Sequence, residues 1–255
     1  MIMQRIAVIN QKGGVGKSTI AVNLAYGLAS MGKKSLLIDL DPQAHSCDIY
    51  RPEYEVKHTV KDLFTDAQLN ISCVIEPAFV RDKKIDCLDV VHSNILFAKA
   101  AEQVSSRIHR EKILYHHLRK VTHDYLVVDC PPNLGVITVN AIYAADLILI
   151  PVNYDKGALD GMADLLETIK EVKESVALPY LIVRNSFDAR NKQTNAYIDT
   201  ELEPFNTSIL KTKIRKTEAL NQSRIVGEPI MVFEPQSNGA TDYKELITEL
   251  VCLNS

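Results

Sequence analysis

The stretch that most constrains this chain is Ile6-Ala7-Val8-Ile9 followed by Asn10-Gln11-Lys12-Gly13-Gly14-Val15-Gly16-Lys17-Ser18-Thr19, after which a helical pattern starts at once. An apolar strand, a glycine-rich turn and a helix in that order make a phosphate-binding loop. Glycines let the backbone wrap an anion and turn its N–H groups inward. The helix N-terminus adds its partial positive charge. In such a loop Lys17 reaches the β and γ phosphates, Ser18 offers a hydroxyl to Mg²⁺, and Thr19 one to the α-phosphate. The segment departs from G-x-x-x-x-G-K-[ST]. Gln11 stands where the first glycine belongs, and the run reads K-G-G-x-G-K-S with a second lysine, Lys12.

The rest of the 255 residues repeats the strand–helix alternation. Apolar runs at Ser35–Ile38, Leu88–Val91, Leu126–Val128, Leu147–Ile150 and Tyr180–Val183 suit strands buried on both faces of a parallel sheet. Helical patterns at Ser18–Met31, Phe97–Val121 and Ala158–Val176 lie between them. The expectation is an α/β, doubly wound, mostly parallel sheet with helices on both faces, as one domain over residues 1–255. Residues 48–86 are the least regular part and are assigned no element. No apolar run approaches the ~20 residues of a membrane span. Neither a signal-peptide pattern nor a C-x-x-C pair occurs among the five cysteines, so a reducing cytoplasm is expected.

Two aspartates complete a site of this kind. Asp39-Leu40-Asp41-Pro42-Gln43 follows the second run, where a carboxylate at a strand's carboxyl end can orient water or metal-bound water. Asp39 can equally be a turn cap. Leu126-Val127-Val128-Asp129 is an apolar run closed by an aspartate, as in a Walker B strand, whose carboxylate holds Mg²⁺. Cys130 reads as a small apolar residue beside that strand.

Taken together, K-G-G-x-G-K-S, D-x-D-P-Q at Asp39–Gln43 and D-x-P-P at Asp129–Pro132 resemble the ParA/MinD family of deviant Walker A ATPases, in particular the short, Soj-like type. The resemblance continues through Pro151-Val152…Ala158-Leu159…Gly161, Phe187-Asp188-Ala189-Arg190, Ile214-Arg215-Lys216-Thr217-Glu218-Ala219, Gly227-Glu228-Pro229-Ile230 and Pro235…Ala240. It implies a Mg·ATP site built from Gln11 to Thr19, with Ser18, Asp129 and Asp41 around the metal. Lys12 would act in trans across a homodimer, Lys17 on the phosphates, and Asp41 on the attacking water. Asn185 would be either an adenine contact or an ordinary loop asparagine. Lys211 replaces a proline common in relatives, in a loop expected after the seventh strand.

The net charge is −3, so any nucleic-acid binding must be local. Lys211, Lys213, Arg215, Lys216 and Arg224 are opposed only by Glu218 across residues 211–224. A charge run of this kind is either a solvated face or a phosphate-binding patch. The resemblance assigns it to double-stranded DNA without sequence preference, with Arg215 foremost and Arg190 as a second contact. About four residues, including Arg224, are extra relative to the family between E-A and G-x-P-I. The implied activity is an ATPase that dimerises on ATP and partitions chromosomes or plasmids with a ParB-like partner, associating with the nucleoid when ATP-bound. The alternatives are a MinD-like membrane-bound regulator, which the acidic tail Asp242–Cys252 disfavours, and a ParA-like positioner of a protein cargo.

Overall fold

The computed structural model describes residues 3–155, 157, 159–174 and 177–253. Its strands are β1 (Gln4–Val8), β2 (Ser35–Asp39), β3 (Ile75–Val80), β4 (Lys83–Val91), β5 (Tyr125–Asp129), β6 (Leu147–Asn153), β7 (Tyr180–Phe187) and β8 (Ile209–Arg215). Its helices are α1 (Lys17–Ser30), α2 (Val60–Thr65), α3 (Leu96–Val104), α4 (Ile113–Leu118), α5 (Val136–Ala144), α6 (Met162–Lys173), α7 (Lys192–Leu202), α8 (Glu218–Val226), α9 (Ile230–Phe233) and α10 (Asn238–Leu253).

The strands form one sheet in the order β3-β4-β2-β5-β1-β6-β7-β8. All neighbours are parallel except β3, which pairs antiparallel with β4. From β1 the chain builds β2, β4 and β3 on one side, returns to insert β5 between β2 and β1, and then continues on the other side with β6, β7 and β8. The crevice at the carboxyl end of β1 is therefore the switch point where open α/β sheets bind ligands. β2, β5 and β6 are buried at every position, which is why their interiors are runs of apolar residues rather than alternating, with polar residues only at the strand ends. One apolar layer packs Phe64, Phe97, Leu114, Ile137 and Leu165 on one face. Leu24, Leu28, Tyr243, Leu246 and Ile247, from α1 and α10, pack on the other. This is the doubly wound α/β arrangement expected.

Three differences from the sequence reading have local causes. Residues 48–86, left unassigned, contain α2 and β3. β3 turns into β4 through Arg81 and Asp82, both at positive φ (51° and 59°), the two-residue geometry that matches strand twist in a hairpin. The single helix expected over Phe97–Val121 is broken between α3 and α4. The hydroxyls of Ser105 and Ser106 donate back to the carbonyls of Ala101 and Gln103, and His109 adopts φ 59°. Lys211 lies within β8 rather than in a loop, because that stretch pairs in parallel with β7; the Glu249 carboxylate of α10 takes the backbone N–H groups of Lys211 and Thr212. The helix expected over Ala158–Val176 is α6 in its described part; Ala158 and Val176 lie outside the described residues.

Candidate nucleotide site and basic edge

β1 delivers the loop into the switch point, and the loop is held by side chains from neighbouring strands. Asn10, buried, donates to the Pro151 carbonyl at the end of β6 and accepts the Lys12 N–H. Gln11 donates to the Gly161 carbonyl at 3.1 Å. Asn153 donates to the Gly14 carbonyl at 3.4 Å and Asn185 to the Val15 carbonyl at 2.8 Å. Gly16 sits at φ 90°, and a Cβ there would collide with the Asn185 amide, so both backbone sign and space require glycine. At Gly13 a Cβ would meet nothing within 4 Å, so this chain's own packing does not demand glycine there.

α1 begins at Lys17 itself. The Lys17 ammonium is buried and donates to the Lys12 carbonyl at 3.0 Å. Burial lowers its pKa, while Asp129, Cys130 and Asp41 oppose that fall. The Lys12 ammonium reaches the Asp155 carboxylate just beyond β6 at 2.5 Å.

The three aspartates differ sharply in their partners. Asp39, fully buried at the end of β2, accepts from the Asp41 N–H (2.8 Å), the Ser46 N–H and hydroxyl (3.2 and 2.8 Å) and the Cys47 N–H (3.0 Å). All four of these bonds come from the turn 39–47, so it is a cap for that turn. Asp41 takes the Gln43 N–H at 2.9 Å and lines the open cavity. Asp129, with no exposed surface, has no hydrogen-bond partner on either oxygen. Burial, then the nearby Asp39, push its carboxyl well above the usual carboxylate range. The hydroxyls of Ser18 and Ser46 oppose that rise without completing a hydrogen bond. Cys130 is buried, and burial raises its thiol far above the usual range, so it is inert.

Above the loop lies a cavity of about 780 Å³, lined by Gly13, Gly14, Gly16, Lys17, Ser18 and Thr19, by Asp41, Gln43 and His45 after β2, and by Ser223–Ile225, Gly227 and Glu228 from α8 and its end. The P-loop residues expected from the sequence are thus brought together with Asp41. Asn185 is not part of the cavity wall; its amide is committed to the Val15 carbonyl behind the loop.

The basic residues do not form one patch. Arg190, Arg215 and Lys216 share the carboxyl ends of β7 and β8, where the Lys216 N–H donates to the Phe187 carbonyl at 2.9 Å and Phe187 pairs with Arg215. Arg190 is 89% exposed and pairs with Asp188 at 2.7 Å. Arg215 is bidentate on Asp242 of α10, with bonds of 2.5 to 3.1 Å. Lys213 lies over the rings of Phe187 and Tyr154, 4.8 and 5.5 Å from their centroids, and 3.4 Å from Asp199. Lys211 is near the amino end of β8. Arg224, unlike the others, is on the wall of the cavity.

A family model described as an AAA domain matches residues 3–180. The sporulation initiation inhibitor protein Soj of Bacillus subtilis (strain 168) is 34% identical over 251 residues, covering 96% of this chain and 97% of that protein. The chain belongs to the ParA/Soj family. The chromosome-partitioning ATPase Soj of Treponema pallidum (strain Nichols) is 31% identical over 251 residues, covering 96% of each. Among solved structures, cobyrinic acid a,c-diamide synthase from Mycobacterium smegmatis with bound ADP and magnesium matches with a TM-score of 0.81 at 24% identity, covering 98% of this chain and 94% of that one. At that identity the likeness concerns the fold.

Some contacts of this ParA/Soj chain carried no sequence signal. Asp155 as the partner of Lys12 is 143 positions away, and no pattern links the two. Asn153 under Gly14 and Ser46 on Asp39 are equally silent in the sequence. Pairing of Arg81 with Glu228, two bonds of 2.6 Å across 147 positions, is visible only once the hairpin and the α8 end are placed.

Proposed function

We propose that this chain is a Mg·ATP-dependent ATPase of DNA partition. ATP binding drives homodimerisation, the dimer binds duplex DNA without sequence preference, and hydrolysis stimulated by a ParB-like partner resets it. The observation that carries the reading is the unpartnered, fully buried carboxylate of Asp129 beneath the P-loop. A buried carboxylate without a hydrogen bond is costly, and a cation is the group that fits it. Ser18 and Asp129 would hold Mg²⁺, with Asp41 at the cavity rim reaching it through water. The ion would supply charge neutralisation between the β and γ phosphates.

Within the chain, Gly13, Gly14 and Gly16 present backbone N–H groups to the phosphates while Lys17 meets the β and γ groups. Asp41, held by the Gln43 N–H, has an oxygen on the cavity to orient the attacking water. Open space at Gly13 suits a second loop facing this one, across which Lys12 would exchange Asp155 for the partner's phosphates. The nucleotide and metal in the M. smegmatis structure and the partition role of the T. pallidum relative support this reading. A fold shared with an amide synthase does not choose the chemistry; 31–34% identity to Soj proteins along nearly the whole chain favours partition.

The test is ATP turnover and light scattering with wild type and Asp41→Ala, with and without duplex DNA. Asp41→Ala should bind ATP and accumulate as a dimer while turnover falls by about 10²–10⁴-fold. Turnover at the wild-type rate would remove Asp41 from the catalytic role. Anionic vesicles binding in place of DNA would move the chain to membrane-associated regulation.

A further inference from the structure

We propose that Arg224 is a nucleotide-binding residue, a guanidinium supplied in cis to the polyphosphate chain, and not part of the DNA patch. The inference rests on the nucleotide reading above and adds a residue to it. Arg224 and Lys17 line the same cavity, 207 positions apart in sequence. Among the described residues the Arg224 guanidinium makes one hydrogen bond, to the Asn221 side chain, at a long 3.4 Å. Two acidic residues that line the cavity with it are already engaged: Asp48 with Arg51 and Glu228 with Arg81, each at 2.6 Å. The arginine is therefore a positive charge facing an anion-binding loop with no strong partner of its own. A guanidinium fork matches phosphate oxygens in a way that a single ammonium does not.

The wall that carries Arg224 is held in place. Thr217 caps the start of α8 by accepting the Leu220 N–H, and Gly227 ends the helix at φ 77°. Glu228 is then clamped by both arms of Arg81 at the tip of the β3–β4 hairpin. Two residues further on, the Ile230 N–H donates to Asn23 of α1 at 2.8 Å. The last turn of α8 is thus fixed against the helix that follows the P-loop, so less ordering is required when ligand arrives.

The experiment is calorimetric titration of the full chain with ATP, ADP and AMP in Mg²⁺, for wild type, Arg224→Ala, Arg224→Lys and Lys17→Ala. Arg224→Ala should weaken ATP by roughly tenfold to a hundredfold, as expected for hydrogen bonds to a charged group, and AMP by less than about twofold. Arg224→Lys should recover part of the loss, and apo melting temperatures should agree, since the side chain is exposed. Unchanged ATP affinity in Arg224→Ala, or equal losses for ATP and AMP, would overturn the assignment while leaving the site intact. Unchanged ATP affinity with weakened DNA binding would return Arg224 to the DNA patch. Failure of wild type itself to bind ATP would instead remove the nucleotide reading, and this inference with it.

Discussion

Asp129 and Asp242 are both aspartates with almost no exposure to solvent, and their surroundings are opposite. Asp242, on α10, receives the Arg215 backbone N–H and both arms of its guanidinium. Its charge is matched within the chain, and the pair ties the edge strand β8 to α10. Asp129, at the end of β5, receives no hydrogen bond, and the Lys17 ammonium acts on it only through space. The difference teaches how to separate structure from function among buried charges. A carboxylate matched by the fold is finished, whereas one left unmatched is completed by something from outside. Arg215 belongs to the first kind. Its 42% exposed side chain leaves one edge for a phosphate, but its main engagement is internal.

The largest effect expected from this comparison is at the unfinished site. Lys17→Ala removes the buried cation facing Asp129 and the phosphates, and ATP affinity should fall by about 4 kcal/mol, near a thousandfold. A fluorescent ATP analogue bound with undiminished affinity would break the assignment of that site. Next comes the finished pair. Arg215→Ala strands Asp242, and thermal unfolding should show a loss of about 3 kcal/mol, at the lower end for a broken buried pair because the guanidinium is partly exposed. Arg215→Ala with Asp242→Leu should recover much of it. A single mutant as stable as wild type would show that Asp242 needs no partner and that the contrast fails. For the same reason, charge reversal at Arg215 is a poor probe of DNA binding, since it would place a second carboxylate against Asp242. Lys216→Glu is the cleaner probe. It should weaken the ATP-dependent gel shift modestly and make the log–log salt slope shallower by about 0.9 for each protomer of the dimer, the value for one DNA phosphate no longer neutralised, with ATP affinity unchanged.

The two regions were not equally legible in the sequence. The P-loop is contiguous: strand, glycines and lysine determine one another locally, and α1 follows at Lys17, one residue before the helical pattern read from Ser18. Asp129 was legible because it ends an apolar run. β3 was not, since Ile75–Val80 contains Pro77 and pairs at the sheet edge across a bulge. The basic edge was legible as composition only. Which lysine or arginine is paired depends on Asp188, Asp199 and Asp242, which come from α10 and from around α7, and no local pattern announces that Arg215 would be taken by α10 or that α8 would carry Arg224 to the cavity.

The central claim is that Asp129 is a buried carboxyl, pushed up to about 8 without ligand, whose ionised form a cation would complete. Its carboxyl is raised by burial, so the unfolded chain gives up its proton first, and the native state becomes less stable as pH rises above about 4, the unfolded value. At neutral pH the penalty is present in the nucleotide-free protein and Mg·ATP removes it. The direct measurement is the melting temperature of wild type and Asp129→Asn at pH 7, without ligand and with saturating Mg·ATP. The account predicts that the ligand-free mutant melts higher than wild type by a few degrees, about 1–2 kcal/mol, and that most of the Mg·ATP-induced rise is lost. A mutant that is less stable without ligand yet keeps the full Mg·ATP shift would contradict it.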